Sequence, residues 1–170
     1  MRPTEQELKQ RLINLRGEIT DDVANAVTAQ LLFHDSEDER NPVRLHIESD
    51  GGSVTASLAI YDTLKYVKCP VHTRCDTSAG GMAALLLAAG TRGTRVMSRR
   101  ALVTMVESTP GGVGTPLQLR EVKRLTGVVL SAYAAESGQR NEVIARAMAE
   151  RRQLNAEMAH TFGFIDLISA

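Results

Sequence analysis

The chain has no excess of charge of either sign, since 20 Lys and Arg side chains are balanced by 20 Asp and Glu. That balance argues against nucleic acid or an anionic membrane surface as a partner. Cysteine is scarce: Cys69 and Cys75 form no C-x-x-C pair and join no histidine at zinc-like spacing. They read as two reduced thiols of a cytoplasmic protein, and neither a metal site nor a cofactor is implied. No apolar run approaches the roughly 20 residues that cross a bilayer, the longest being the one after Met82. The first residues are polar and charged, unlike a signal peptide. With no internal repeat and no low-complexity linker, the 170 residues are enough for a single domain, 1–170, with a real core.

What is present alternates between strands and helices. Thr4 with Glu7 makes a capping box for a first helical turn, and 12–15 reads as a strand. Thr20 or Asp21 caps a helix whose apolar face is Val23, Ala26, Val27, Gln30 and Leu31, followed by an acidic loop over 35–41. Strict alternation over 43–48 predicts a strand with one buried face, and Gly51-Gly52 turns it into a helix carrying Val54, Leu58, Ile60, Tyr61 and Leu64. A strand over 71–74 leads to Gly80-Gly81 and a small-residue helix ending at Gly90. Strands follow at 94–97 and 102–106, the second ended by Glu107, then a glycine-rich excursion over 110–114. A long helix starts at Pro116, with a stripe of Leu119, Val122, Leu125, Val129 and Tyr133, and stops near Gly138. Asn141 and Asn155 cap two more helices, and 164–167 reads as a terminal strand. The alternation makes the fold α/β.

The Gly80-Gly81 elbow organises the chain. Glycine lets backbone approach closely there, and free N–H groups stand at the helix start. Many enzymes place a nucleophile on such a strand-to-helix turn; this chain has glycine.

Gly51-Gly52 after a strand, the segment 59–63, the run 82–90 followed by 91–95, Pro110-Gly111-Gly112 and the segment 162–166 resemble, in order and spacing, the proteolytic subunit of the Clp protease (ClpP). The likeness runs from about Arg11 to the end. It implies a wound stack of strand–strand–helix units, as also in the crotonase superfamily, with a protruding helical handle at about 113–136. Handles of this family interleave, so that two seven-membered rings enclose a chamber. A helix packed only on its own core is the plainer alternative for that segment.

Acyl transfer by a serine hydrolase needs a nucleophile, a base and a group that orients the base. On this resemblance the serine position is Gly81, the histidine position is Glu107, and the aspartate position is Arg151, or Arg152 with a one-residue slip. The oxyanion donors would be backbone N–H groups near Gly51 and Gly52 and that of Met82. The chain thus resembles a catalytically degenerate, ClpR-like member: a structural or regulatory subunit of a heptameric or tetradecameric barrel, partnered by itself or by an active paralogue. Glu107 and one of the two arginines could pair and plug the site, or both charges could face the chamber. Ser78 and Ser108 lie nearby, but neither sits on the elbow, which argues against either as a substitute nucleophile.

Other departures matter too. Almost nothing precedes Thr4, so an absent or very short axial gate is expected. Arg44 and His46 stand where the family has aromatics for docking a Clp AAA+ ATPase, which argues against that docking, though Tyr66 keeps an aromatic. Asp50 replaces a proline before the two glycines. The crowded Arg92, Arg95, Arg99 and Arg100 read as a solvated face, with phosphate binding the alternative, and His34 and His160 read as surface histidines. The competing activity is crotonase-like acyl-thioester chemistry at the preserved donors with Glu107 handling protons.

Overall fold

The computed structural model describes residues 3–107 and 115–170. The excursion at 110–114, the handle's first residue Val113, and Ser108 lie outside the described residues. Helix α1 (Glu5–Lys9) opens with the expected box, Glu7 Oε2 accepting from Thr4 N at 2.7 Å and Thr4 Oγ1 from Glu7 N at 3.2 Å. Then come β1 (Leu12–Arg16), α2 (Asp21–Glu37), β2 (Val43–Glu48), α3 (Val54–Tyr66) and β3 (Val71–Cys75). They are followed by β4 (Ser78–Gly80), α4 (Met82–Ala88), β5 (Val96–Ser98), β6 (Leu102–Thr104) and α5 (Pro116–Ser137). The chain closes with α6 (Asn141–Ala149), β7 (Gln153–Leu154), α7 (Ala156–Phe162) and β8 (Leu167–Ser169). This is a mixed α/β fold. Among the described residues no helix is long and apolar enough to cross a membrane.

Two sheets form among the described residues. The larger has the order β1-β2-β3-β5-β8, parallel throughout, and the smaller has the order β4-β6-β7. In the larger sheet Ile13, Leu15, Val43, Leu45, Ile47, Val71 and Cys75 point inward to a core that α4 fills, every residue from Met82 to Ala89 being buried. Just beyond α4, Gly90 rests against Thr73, whose Oγ1 donates to Leu87 O at 2.7 Å and ties the helix end to β3.

Several boundaries differ from the pattern-based expectation, each for a local reason. α2 runs on through Asp35, whose carboxylate accepts from the N–H groups of Lys68 and Cys69 at 2.8 Å each and ties the helix end to the turn before β3. The strand expected at 94–97 starts two residues later, because Thr94 folds into a turn with its Oγ1 donating to Thr91 O at 2.6 Å. The terminal strand is 167–169 rather than 164–167, since Phe164 and Ile165 drop into the core and Asp166 turns toward Arg95. Arg140, not Asn141, is the cap residue of α6, and the helix ends at Ala149 instead of reaching Arg152.

Two charged residues were misplaced by sequence alone. Arg95 is 3% exposed and is no part of a solvated or phosphate-binding face. Its guanidinium donates to both Asp166 oxygens at 2.7 and 2.8 Å, and to the carbonyls of Ala88, Glu136 and Gly163. One side chain thereby joins the ends of α4, α5 and α7. His34 is 2% exposed, not on the surface; its Nε2 has no partner, and desolvation pushes its pKa down so that the neutral ring is favoured. His160 is exposed, as expected.

Both cysteines are free and buried, and burial pushes each thiol up to about 11. Thiolate is the reactive form. The native protein should therefore react with a thiol reagent at neutral pH far more slowly than the urea-unfolded chain, in which two thiols titrate at once.

Candidate functional site

The small sheet collects the residues that the sequence singled out. Strand β4 ends at Gly80 and hands over to Gly81; β6 ends at Thr104 and leads to Glu107; β7 begins just after Arg151 and Arg152. Parallel pairing sets Gly80 beside Thr104, antiparallel pairing sets Thr104 beside Gln153, and two bonds extend the ladder: Gly81 N to Thr104 O at 3.0 Å and Met105 N to Arg152 O at 2.8 Å. Sequence reading had the 71–74 strand running directly into the elbow. In fact β4 intervenes and belongs to the other sheet.

A second loop is brought in by the bridge between the sheets. Gly80 N donates to Ser49 O at 2.8 Å and Ser49 N to Ser78 O at 3.2 Å, which lays the Gly51-Gly52 turn against the elbow. The approach leaves no room for side chains: a Cβ on Gly51 would sit 3.0 Å from Gly80 O and 3.4 Å from Met82 N. A cavity of about 510 Å³ opens here, walled by Gly51, Gly52, Gly81, Met82, Glu107 and Arg151, with Asp50 and Thr104 beside them.

The elbow itself is Gly81, with φ +46 and ψ −125, at the strand-to-helix turn. That is the type of sharp, strained turn on which α/β hydrolases expose a serine. Glycine takes it without a Cβ penalty and adds no side-chain atom. Its carbonyl accepts from the buried Tyr133 hydroxyl of α5, which fixes the turn from behind. Of the expected donors, Gly51 N–H is already spent on Ser49 Oγ at 3.1 Å. Gly52 N–H has no acceptor among the described residues, and Met82, first residue of α4, has none within its helix. Two backbone donors thus face a cavity without a nucleophile on the turn between them.

The expected plug does not form. Arg152 pairs with Glu150 at 2.9 Å, and among the described residues Glu107 has no basic partner within 4.0 Å. Glu107, Arg151 and Arg152 are all exposed, so neither charge requires a buried counter-ion. Arg152 stands outside the cavity wall and Arg151 on it. Ser78 also lies off the elbow cavity, its Oγ 3.4 Å from Asp50 Oδ1. Sequence reading missed Thr104, whose side chain is half-buried at the cavity; only the pairing of β6 with β4 reveals it. No base bonds its hydroxyl among the described residues. None of His34, His46, His72 and His160 is on the wall, and no group of His, Cys, Asp and Glu fit to hold a metal occurs among the described residues.

Arg151 has φ +48, a left-handed conformation that Asn and Asp visit routinely and a long side chain does not. Replacing it relieves that cost: Arg151→Asn is expected to stabilise the fold by about 1 kcal/mol, read as a raised urea midpoint at unchanged slope.

Comparison with known proteins gives a consistent answer. The Clp protease family model matches residues 2–170. ATP-dependent Clp protease proteolytic subunit 3 of Synechococcus sp. (strain CC9902) is 40% identical over 165 residues, covering 94% of this chain and 82% of that protein. The proteolytic subunit 2 of Prochlorococcus marinus (strain MIT 9312) is 39% identical, covering 94% and 81%. Subunit 3 of Parasynechococcus marenigrum (strain WH8102) is 39% identical, covering 94% and 82%.

Proposed function

This chain belongs to the Clp protease family, and from that premise we propose that it is a non-cleaving subunit of a Clp-type proteolytic barrel. Gly81, Glu107 and Arg151 occupy the nucleophile, base and orienting positions; Gly81 has no side-chain atom with which to attack, and a Glu107 carboxylate therefore has no hydroxyl on the turn to deprotonate. The observation that carries the reading is Gly81 at the turn, φ +46, where a hydroxyl would have to project. Gly52 and Met82 keep donors suited to a carbonyl oxygen, so a chain segment could be held there, though not cut.

The contribution of this subunit is then its surface. α5 buries side chains only from Leu125 onward, while Leu117 and Leu119 near its start are 75% and 45% exposed. An apolar helix end with no cover among the described residues suits a handle, about 113–136, that interleaves with another copy or with an active paralogue in stacked rings.

Purified protein treated with a fluorophosphonate should stay unlabelled, and native mass spectrometry of the protein co-expressed with an active Clp proteolytic subunit should give mixed rings. Stoichiometric labelling contradicts the non-cleaving assignment, and monomer alone in both preparations contradicts the barrel role. Gly81→Ser should lose about 1–2 kcal/mol of stability from the strained φ, read as a lowered urea midpoint.

A further inference from the structure

The larger sheet is parallel throughout, and parallel sheets are ordinarily covered on both faces. Here the inner face meets the core. Among the described residues, cover on the outer face comes from α1 at the β1 edge, where Asn14 Nδ2 donates to Glu7 Oε1 at 2.7 Å. Over β2 and β3 the outward positions alternate with buried ones and stay exposed or half-buried: Arg44 and His46 on one strand, His72 and Arg74 on the next. Register makes them a block, with Arg44 opposite His72 and His46 opposite Arg74.

Charges on this face differ in how they are satisfied. Arg16 holds Glu48 at 3.2 Å and Arg74 holds Asp76 at 2.6 Å. Arg44 donates to Gln10 O at 2.9 Å and has no carboxylate within 4.0 Å among the described residues. Desolvation, and to a lesser degree the guanidinium groups of Arg74, Arg44 and Arg16, hold His46 toward its neutral form against the opposing Asp76 carboxylate. A carboxylate arriving here would meet one unpaired guanidinium and two imidazoles that can donate to it.

We propose that the outer face of β2 and β3 docks an acidic, extended segment of a partner protein. Same-face residues of an extended chain repeat about every 7 Å, and neighbouring strands lie about 4.8 Å apart. Carboxylates at every second position of such a segment therefore match Arg44 and His46 along β2, with His72 flanking Arg44. The face that the family resemblance assigned to an apolar contact is, in this chain, built for charge. This inference stands apart from the non-cleaving reading, which concerns the other sheet.

The test is fluorescence anisotropy of the full chain with a labelled peptide bearing Glu at every second position, against the same peptide with Gln, Lys or Leu. The Glu peptide should bind at least about tenfold tighter than the Gln peptide, and more weakly as salt is raised. Arg44→Glu should lose about tenfold, while Arg146→Glu, at an exposed position of α6, should not. Arg44→Gln, which removes the charge without reversing it, is the second variant should Arg44→Glu not fold. Binding of the Glu peptide weaker than about 1 mM, equal binding of the Gln peptide, preference for the Leu peptide, or an unchanged affinity in both Arg44 variants overturns the proposal.

Discussion

Asp166→Asn should cost this protein about 3 kcal/mol of stability at neutral pH, close to the lower bound for leaving one partner of a buried ion pair behind. The variant retains one acceptor, but Arg95 stays buried with a charge that only three carbonyls and an amide oxygen face. Because that guanidinium joins the ends of three helices, the loss should appear in global unfolding rather than as local fraying. Acidification gives an independent check. The Arg95 side chain, with N–H groups of Arg95 and Gly93, lowers the Asp166 carboxyl from 3.8 to about 2. A depressed carboxyl stabilises above its unfolded pKa and stops doing so as pH falls through its folded one. The gap between wild type and variant should thus be full at pH 5 and above, shrink from about pH 4 downward, and close near pH 2. Urea denaturation at stepped pH reads this directly; a constant gap would mean that the pair does not act as described.

Gly52→Ala should have an effect at least as large, on the order of 3–5 kcal/mol. A Cβ at this position would lie 2.4 Å from Ile19 O and 2.6 Å from Ile19 N, both rigid backbone, and the residue sits at φ +155. Ser53 N donates to Ile19 O at 2.8 Å and Ile19 N to Gly51 O at 2.9 Å, so the clash cannot be relieved without breaking the bridge that seats the Gly51-Gly52 turn. Gly17→Ala is the matched control, since among the described residues nothing lies within 4 Å of its Cβ position. It should cost only the φ +72 penalty, about 1 kcal/mol. Equal midpoints for the two variants in urea would contradict the close approach.

The fold was legible where the pattern was long. β1, β2 and β3 have five or six residues with period-2 burial, and α5 has a capping box, Pro at its start and Gly138 at its end. β4 and β7 were not, because these strands of three and two residues, Ser-Ala-Gly and Gln-Leu, carry neither a period nor the β-branched residues that mark β5 and β6. Those two strands, with β6, bring Gly81, Glu107 and Arg151 around one cavity, so residue chemistry alone could not have gathered them. The resemblance supplied positions that the local pattern lacked. Where local competition decided, sequence reasoning failed. Arg152 took Glu150, two residues away, in place of Glu107. Arg95 vanished into the core because helix-end carbonyls, which leave no mark on the sequence, solvated it.

The most direct test is turnover of a small peptide ester, together with fluorophosphonate labelling, by material free of any active subunit. Neither should exceed the buffer blank, and Thr104→Val should change nothing. Turnover that persists through rigorous purification and disappears on altering a single residue of this chain would contradict the account.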